Sequence, residues 1–404
     1  MCRKAVKSER LSLGHGLWRL LPEVARRSAL HAATSVLAPR TGFPVLSRSC
    51  GLAVGGELNA ATGLGEAARH LRTGAQVLGF GGDPVDLGVG RIPKGRISEH
   101  TALLLAVNAP SLPLMLARAE KTMLRRRVIG SWAWELPVVP KSWAAGGRYV
   151  HEVWAPSPFV AQALEEVLPG RVRVVPYPLA LRGLSAADDQ CGLDLPSHIT
   201  VTVMVFSLGS SFTRKNPLAS IASFKRAFAN RADQILIVKL QGAAAYPREA
   251  AQIEALAAAN IRVMSGVWPE TKMAALMARA DIILSLHRSE GFGLVLAEAM
   301  LRGKTVVATG WSGNMAFMDE SSAALIGYEL VTVKDETGIY KPLQGARWAE
   351  PDVAHAAEWL RKLGDDADLR LAMGGRAKVH ATAALNGEVM RQALLANGVE
   401  PVLS

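Results

Sequence analysis

Cysteine is nearly absent from the 404 residues: Cys2, Cys50 and Cys191 are scattered, odd in number and far from the spacing of a zinc ligand set. No disulfide framework and no structural metal site are therefore expected, and a reducing compartment is the simplest inference. No run reaches 18 uninterrupted apolar residues, which argues against a transmembrane span. Charged residues are only 20% of the chain and apolar ones 50%, so large buried cores are expected and disorder is not. Acidic residues are the scarcer sign, 35 against 46 Lys and Arg, for a net charge of +11. That excess suits nucleic acid, an anionic membrane face or phosphate-bearing substrates, and does not choose among them.

Part of the excess is local. Residues 1–40 hold eight Lys or Arg against Glu9 and Glu23 alone. Residues 17–37 are expected to form an amphipathic helix after Pro22, with Trp18, Leu20, Leu21 and Val24 able to enter a lipid headgroup layer. An unstructured extension and an Arg-rich transit peptide are the competing readings of the same segment.

Strand-length apolar runs alternate with helical stretches throughout, the pattern of an α/β protein with parallel sheets. In the first half the strands are read at 51–54, 76–80, 102–107, 128–132, 151–155 and 172–175. Residues 181–198 lack periodicity and serve as a linker. A second series follows at 199–206, 234–240, 261–265, 281–286 and 305–308. The expected division is a basic extension at 1–40, a Rossmann-like domain at 41–180, a second at 199–375 and a helical tail at 376–404. Two such halves with a cleft between them suit an enzyme with two substrates.

The chemistry concentrates at Glu290 and Glu298, with Gly291, Phe292 and Gly293 following the first of them. Residues 281–286 read as a strand and 294–301 as a helix. Glu290 is thereby placed in the loop at the strand's carboxyl end, with Glu298 about a turn into the helix. Ligands bind at that edge of an open parallel sheet, where free amides face an anion. Eight residues of loop and helix span at most about 12 Å. Two carboxylates that far apart do not share a proton, but they can hold hydroxyls at opposite ends of an extended ligand. The alternative is a helix-start carboxylate and a solvated surface one.

Arg214 and Lys215 follow the strand at 199–206 and would suit a diphosphate, the lysine as a compact charge and the arginine as a fork. Lys239, ending an apolar strand, is an odd choice for packing and is read as facing the same phosphates. His287 and Arg288 adjoin Glu290 and are read as within reach of the ligand. Gly63 and Gly65, with Ala68 and with Asp83 20 residues after Gly63, fit a variant dinucleotide fingerprint. That would make the protein an NAD(P)-dependent oxidoreductase. However, residues 55–62 separate the glycines from the nearest strand, so a flexible Gly loop facing the cleft is the better reading. Trp132, Trp134 and Glu135 would offer indole faces and a carboxylate to a sugar; core packing is the alternative.

The chain resembles the retaining GT-B glycosyltransferases of family 4, bacterial surface-polysaccharide members in particular. The residues that carry the likeness are Arg214 to Pro217, Ser289 to Gly293 with Glu298 to Met300, and Thr309 to Asn314. In the first half they are Thr62 to Ala68, Trp132 to Pro137 and Glu152 to Ser157. The resemblance covers about residues 50–380. It implies a GT-B fold of two Rossmann-like domains and transfer of a hexose, mannose or glucose, from a nucleotide-sugar to a glycan or lipid-linked saccharide. By that resemblance Glu290 holds hydroxyls of the donor sugar, Glu298 the nucleotide ribose and Lys215 the diphosphate, with Arg214 assisting. Gly291, Phe292 and Gly293 contact phosphate or sugar, and Gly63 and Gly65 close on the donor from the other domain. No metal and no cofactor are expected, and the donor is a substrate. Nucleic acid is not an expected partner. A cytoplasmic protein, peripheral on an anionic membrane face, is the implied location. The sequence departs from the family twice: relatives carry a phosphate-binding arginine a few residues before the lysine, where this chain has Gly209, Ser210 and Ser211, and an N-domain histidine near the donor sugar has no counterpart that the sequence places.

Overall fold

The computed structural model describes residues 22–42, 48–88, 97–183, 196–335, 340 and 343–402. Two six-stranded, all-parallel sheets organise the chain. The first runs β3-β2-β4-β5-β6-β7, built from β2 Leu52–Gly56, β3 Gly81–Asp86, β4 Ala102–Leu105, β5 Val128–Ser131, β6 Glu152–Ala155 and β7 Val172–Val174. The second runs β10-β9-β8-β11-β12-β13, built from β8 Thr200–Ser207, β9 Gln234–Gln241, β10 Ile261–Ser265, β11 Ile282–Ser285, β12 Thr305–Thr309 and β13 Ala324–Ile326. In order of appearance the second sheet is 3-2-1-4-5-6, the doubly wound arrangement with its switch point between β8 and β11. Its inner strands are apolar on both faces because helices cover both, which is why they read as unbroken hydrophobic runs.

Each sheet turns its carboxyl edge toward the other domain. From β2 the chain passes to the loop before the helix Gly63–Val77; from β5 it passes to Ala133 and Glu135. On the opposite side β8 leads to Lys215 and β11 leads to Glu290, and all these loops line one cleft.

The expected strand at 76–80 is corrected: the helix Gly63–Val77 runs through Gly74, and the strand follows it at β3. Gly74 is kept in mid-helix because a Cβ there would meet Pro178 Cγ at 2.4 Å. β3 (GGDPVD) has no hydrophobic signal and forms as an edge strand on β2, where Pro84 is tolerated. Asp83 pairs with Ala53 in that edge and is exposed, away from the cleft.

The tail divides differently from expectation. Residue 375 falls inside the helix Ala367–Ala384, which packs on the second domain. The last helix, Glu388–Ala396, crosses back to the first domain. Asn397 Nδ2 donates to Glu152 Oε1 at 2.9 Å, and β16 Val399–Glu400 pairs in parallel with β1 Ser49–Cys50. A hairpin of β14 Tyr328–Thr332 and β15 Arg347–Pro351 follows β13, and its buried Trp348 packs into a hydrophobic cluster of the first domain.

Pro22 precedes the helix Glu23–Leu37, which lies against the short helix Leu112–Leu116. Trp18, Leu20 and Leu21 lie outside the described residues, as does most of the linker at 181–198. No described helix is long and apolar enough to cross a membrane.

Candidate active site

The cleft has a cavity volume of about 960 Å³ and takes side chains from both domains. At its floor Lys215 and Glu290, 75 residues apart in sequence, meet: Lys215 Nζ lies 2.5 Å from Glu290 Oε1. Arg214 Nη1 lies 3.1 Å from the same oxygen. Burial pushes the Glu290 carboxyl up, but the Lys215 ammonium and the Arg214 guanidinium outweigh it and hold the group down to about 2. Burial pulls the Lys215 ammonium below its ordinary value, with Glu290 opposing.

Local backbone chemistry places these groups. Lys215 ends a single helical turn, Phe212–Lys215, capped by the Ser211 hydroxyl on the Arg214 amide at 3.2 Å. Asn216 then takes a left-handed conformation, and Pro217 opens the next helix at the position where a missing N–H costs nothing. Arg214 is nearly fully buried, and its fork reaches the carbonyls of Ser289 at 2.7 Å and Ser210 at 2.8 Å. It therefore braces the Glu290 loop and shares Glu290's charge, while still lining the cleft.

Arg288 is corrected outright as a cleft residue. Its guanidinium pairs with Glu350 Oε2 at 2.6 Å, donates to the Thr213 carbonyl at 2.6 Å and lies over the Trp348 ring. Two residues apart, Arg288 and Glu290 would share a face of a regular strand, but β11 ends at Ser285 and the chain bends at Arg288, so the guanidinium turns to the hairpin while Glu290 takes the cleft side. His287 is fully buried, held by Ser285, Asn314 and the Trp311 carbonyl; burial lowers its basicity. Lys239 lines the cleft, yet its ammonium donates to the carbonyls of Gly266 at 2.5 Å and Leu240 at 3.2 Å and lies 4.9 Å from the Trp268 ring.

Gly291, Phe292 and Gly293 form the loop into the helix Leu294–Leu301. Gly293 sits at φ +95°, which favours glycine, and caps the helix start. Phe292 is buried between Tyr177 of the first domain, 5.0 Å away, and Phe317. The Gly291 carbonyl accepts from Ser157 Oγ of the first domain at 2.8 Å. A Cβ on Gly291 would meet the Trp134 carbonyl oxygen at 2.7 Å. The two glycines of the opposite loop differ: a Cβ on Gly65 would strike the Ala60 carbonyl at 2.4 Å, whereas nothing lies near Gly63. Gly65 is thus a packing requirement of the helix entry, capped by Thr62 Oγ1, and Gly63 faces open cleft.

Of the group Trp132, Trp134 and Glu135, the carboxylate of Glu135 reaches the floor, where it accepts from the Tyr340 hydroxyl at 3.1 Å. The neighbouring indoles of Trp132 and Trp134 are buried, so the carboxylate alone is presented. At the other end Glu298 lies 3.7 Å from His70 Nε2, itself 3.5 Å from Glu66 Oε1. Their ligating atoms lie within 4.8 Å of one another, but the Arg69 and Arg182 guanidiniums also bind Glu66, which makes the group an ion-pair hub. The i, i+4 spacing of Glu66 and His70 was the available signal.

Residues 200–327 match the family model described as glycosyl transferases group 1. No curated protein sequence matches the chain. Among solved structures, it is similar to sucrose-phosphate synthase from Thermosynechococcus elongatus, at a TM-score of 0.60 and 14% identity over 86% of this chain and 98% of that one. A glycosyltransferase from Rickettsia africae matches at 0.59 and 14%, over 86% and 97%. WaaG, a glycosyltransferase involved in lipopolysaccharide biosynthesis, matches at 0.56 and 16%, over 85% and 99%. The chain spans only 56% of S. aureus TarM. These likenesses show a GT-B fold.

Proposed function

We propose that this GT-B chain, whose residues 200–327 match the group 1 glycosyl transferase model, transfers a hexose from a nucleotide-sugar to a saccharide or lipid-linked saccharide with retention of configuration. The observation that carries the reading is the buried Lys215–Glu290 pair at the carboxyl edge of the donor-domain sheet, facing Glu135 across the cleft. Solved neighbours of the same fold include an Anabaena protein in complex with UDP and glucose.

In this reading the diphosphate lies over Lys215 and the entrance of the helix Leu294–Leu301, where cation and amides stabilise the charge that grows as the sugar–phosphate bond breaks. Glu290 turns from Lys215 toward the sugar hydroxyls. The acceptor oxygen attacks the anomeric carbon from the face the diphosphate leaves, and its proton passes to a phosphate oxygen. No side-chain nucleophile is required, and alignment in the closed cleft supplies much of the acceleration. The reading needs no metal. Mannose or glucose as the sugar, a surface polysaccharide or lipopolysaccharide as the product, and peripheral contact of the basic N-terminal segment with an anionic membrane face are parts of the same proposal.

The dehydrogenase alternative loses support from the six residues between β2 and the helix Gly63–Val77, since a dinucleotide turn needs its glycines at the strand end. The test is a thermal-shift screen against UDP- and GDP-sugars, followed by donor hydrolysis assays on any that stabilise. Stabilisation by NADH with no response to any nucleotide-sugar would overturn the assignment.

A further inference from the structure

His70 stands on the first domain, 97% buried by its 3% exposure, and its two ring nitrogens have no hydrogen-bond partner within bonding distance. Its Nε2 is directed between two carboxylates, Glu66 of its own helix at 3.5 Å and Glu298 of the other domain at 3.7 Å. The two carboxylates are differently served. Glu66 is bound by Arg69 and by Arg182, whose second arm reaches Glu270 of the donor domain at 3.0 Å. Among the described residues, the His70 ring nitrogen is the polar contact that the structure gives the Glu298 carboxylate. A buried ring with an unspent nitrogen aimed at a half-exposed carboxylate across a domain boundary is costly as mere packing.

We infer that His70 is a positioning residue for the donor's ribose: through Nε2 it fixes the Glu298 carboxylate so that both of its oxygens are presented to the ribose hydroxyls when the cleft is closed. The inference rests on the nucleotide-sugar reading, and it adds a contribution from the first domain to a subsite otherwise built by the second. Closure brings His70 to Glu298, and Arg182 holds Glu66 so that it does not draw the ring away. Recognition of ribose thereby becomes conditional on the closed state, which Arg182–Glu270 and Ser157–Gly291 also fasten.

The experiment measures by calorimetry how the full chain binds UDP and 2′-deoxy-UDP, or GDP and its 2′-deoxy form if UDP does not bind. The wild type should prefer the ribonucleotide, and Glu298→Gln should erase most of that preference. His70→Leu should lower it roughly tenfold, as expected if the 3.7 Å approach to Glu298 shortens to a hydrogen bond on a charged group when the ribose is bound, with His70→Gln, which keeps an N–H donor, restoring part of it. Adding His70→Leu to Glu298→Gln should cost little more, because the two act through one contact. A ligand-free unfolding midpoint for each variant separates misfolding from the effect, and a purely structural His70 would weaken both nucleotides equally. Full ribose preference in His70→Leu, with Glu298→Gln impaired, overturns the inference alone. A wild type that binds no nucleotide overturns the function it rests on.

Discussion

Lys215 and Glu290 neutralise each other across 2.5 Å on the floor of the cleft, and Arg214 shares the same carboxylate oxygen at 3.1 Å. On the proposed function a donor must exchange partners at both groups, phosphate for Glu290 on the lysine and sugar hydroxyls for Lys215 on the glutamate. Lys215→Ala leaves a buried carboxylate with Arg214 as its paired cation, and Glu290→Ala leaves two buried cations with only Glu135 across the cleft to offset them. Each should lower kcat on the order of 100-fold or more and cost about 1–3 kcal/mol of stability. The double variant should unfold closer to the wild type than the sum of the singles. Turnover assays and urea denaturation of the three variants measure this, and additive losses would show that the pair is not coupled.

The same pair sets an acid limit. A carboxyl held down to about 2 against an ordinary 4.5 contributes stability that is fully present above about 4.5 and lost as pH falls toward about 2. Glu290→Gln removes that contribution, so wild type and variant should differ most near neutrality and converge as pH drops through this window. Urea midpoints between pH 3 and 7 would record it. A gap that stays constant with pH would mean that Glu290 is not the group being titrated.

Arg288 offers the contrasting case of a cation beside the motif that faces elsewhere. Its bonds to Glu350 and the Thr213 carbonyl tie β14–β15 to the donor-domain core. Because Glu350 is 40% exposed on its side chain, the ion pair itself is partly screened. Arg288→Ala should cost about 1 kcal/mol of stability while leaving nucleotide affinity within about twofold. Calorimetric binding of UDP decides it: a large loss of affinity would return Arg288 to the cleft.

Strands buried on both faces were legible in both halves, and the misreading fell on an edge strand. Residues 261–265 and the helix Leu294–Leu301 fall where their composition placed them, and β11 and β12 differ by a residue or so. In the first half, QVLGF carried a stronger apolar signal than GGDPVD, yet pairing with β2 gave the second its strand and packing against Pro178 carried the helix through Gly74. Tertiary pairing decided an edge that local propensity could not. At the site, Glu290, Glu298 and Lys215 were named from spacing and residue type. The partnership of His70 with Glu298, and the turning of Arg288 away from its neighbour, depend on contacts between segments far apart in the chain.

Gly291 and Gly63 should respond to the same substitution in opposite ways, because they face each other's domains at different clearances. A methyl on Gly291 would stand 2.7 Å from the Trp134 carbonyl oxygen, and that neighbour is backbone, which does not rotate aside. The loop carrying Glu290 must then move away from the first domain by several tenths of an ångström or more, stretching the Ser157–Gly291 and Ser289–Glu135 bonds that hold the cleft closed. Since misplacement of that order is expensive in a positioned reaction, Gly291→Ala should lower kcat/KM on the order of 100-fold. Gly63 is the first residue of its helix and has nothing within 4 Å of an added Cβ. Gly63→Ala should therefore fold as well as the wild type, or up to about 1 kcal/mol better through the helix preference of alanine. Its activity should fall only to the extent that a ligand approaches that backbone closely, so a loss confined to KM for the donor would place the nucleotide-sugar against Gly63. Steady-state kinetics on the two variants compare these effects directly, and equal losses in both would contradict the clearance argument.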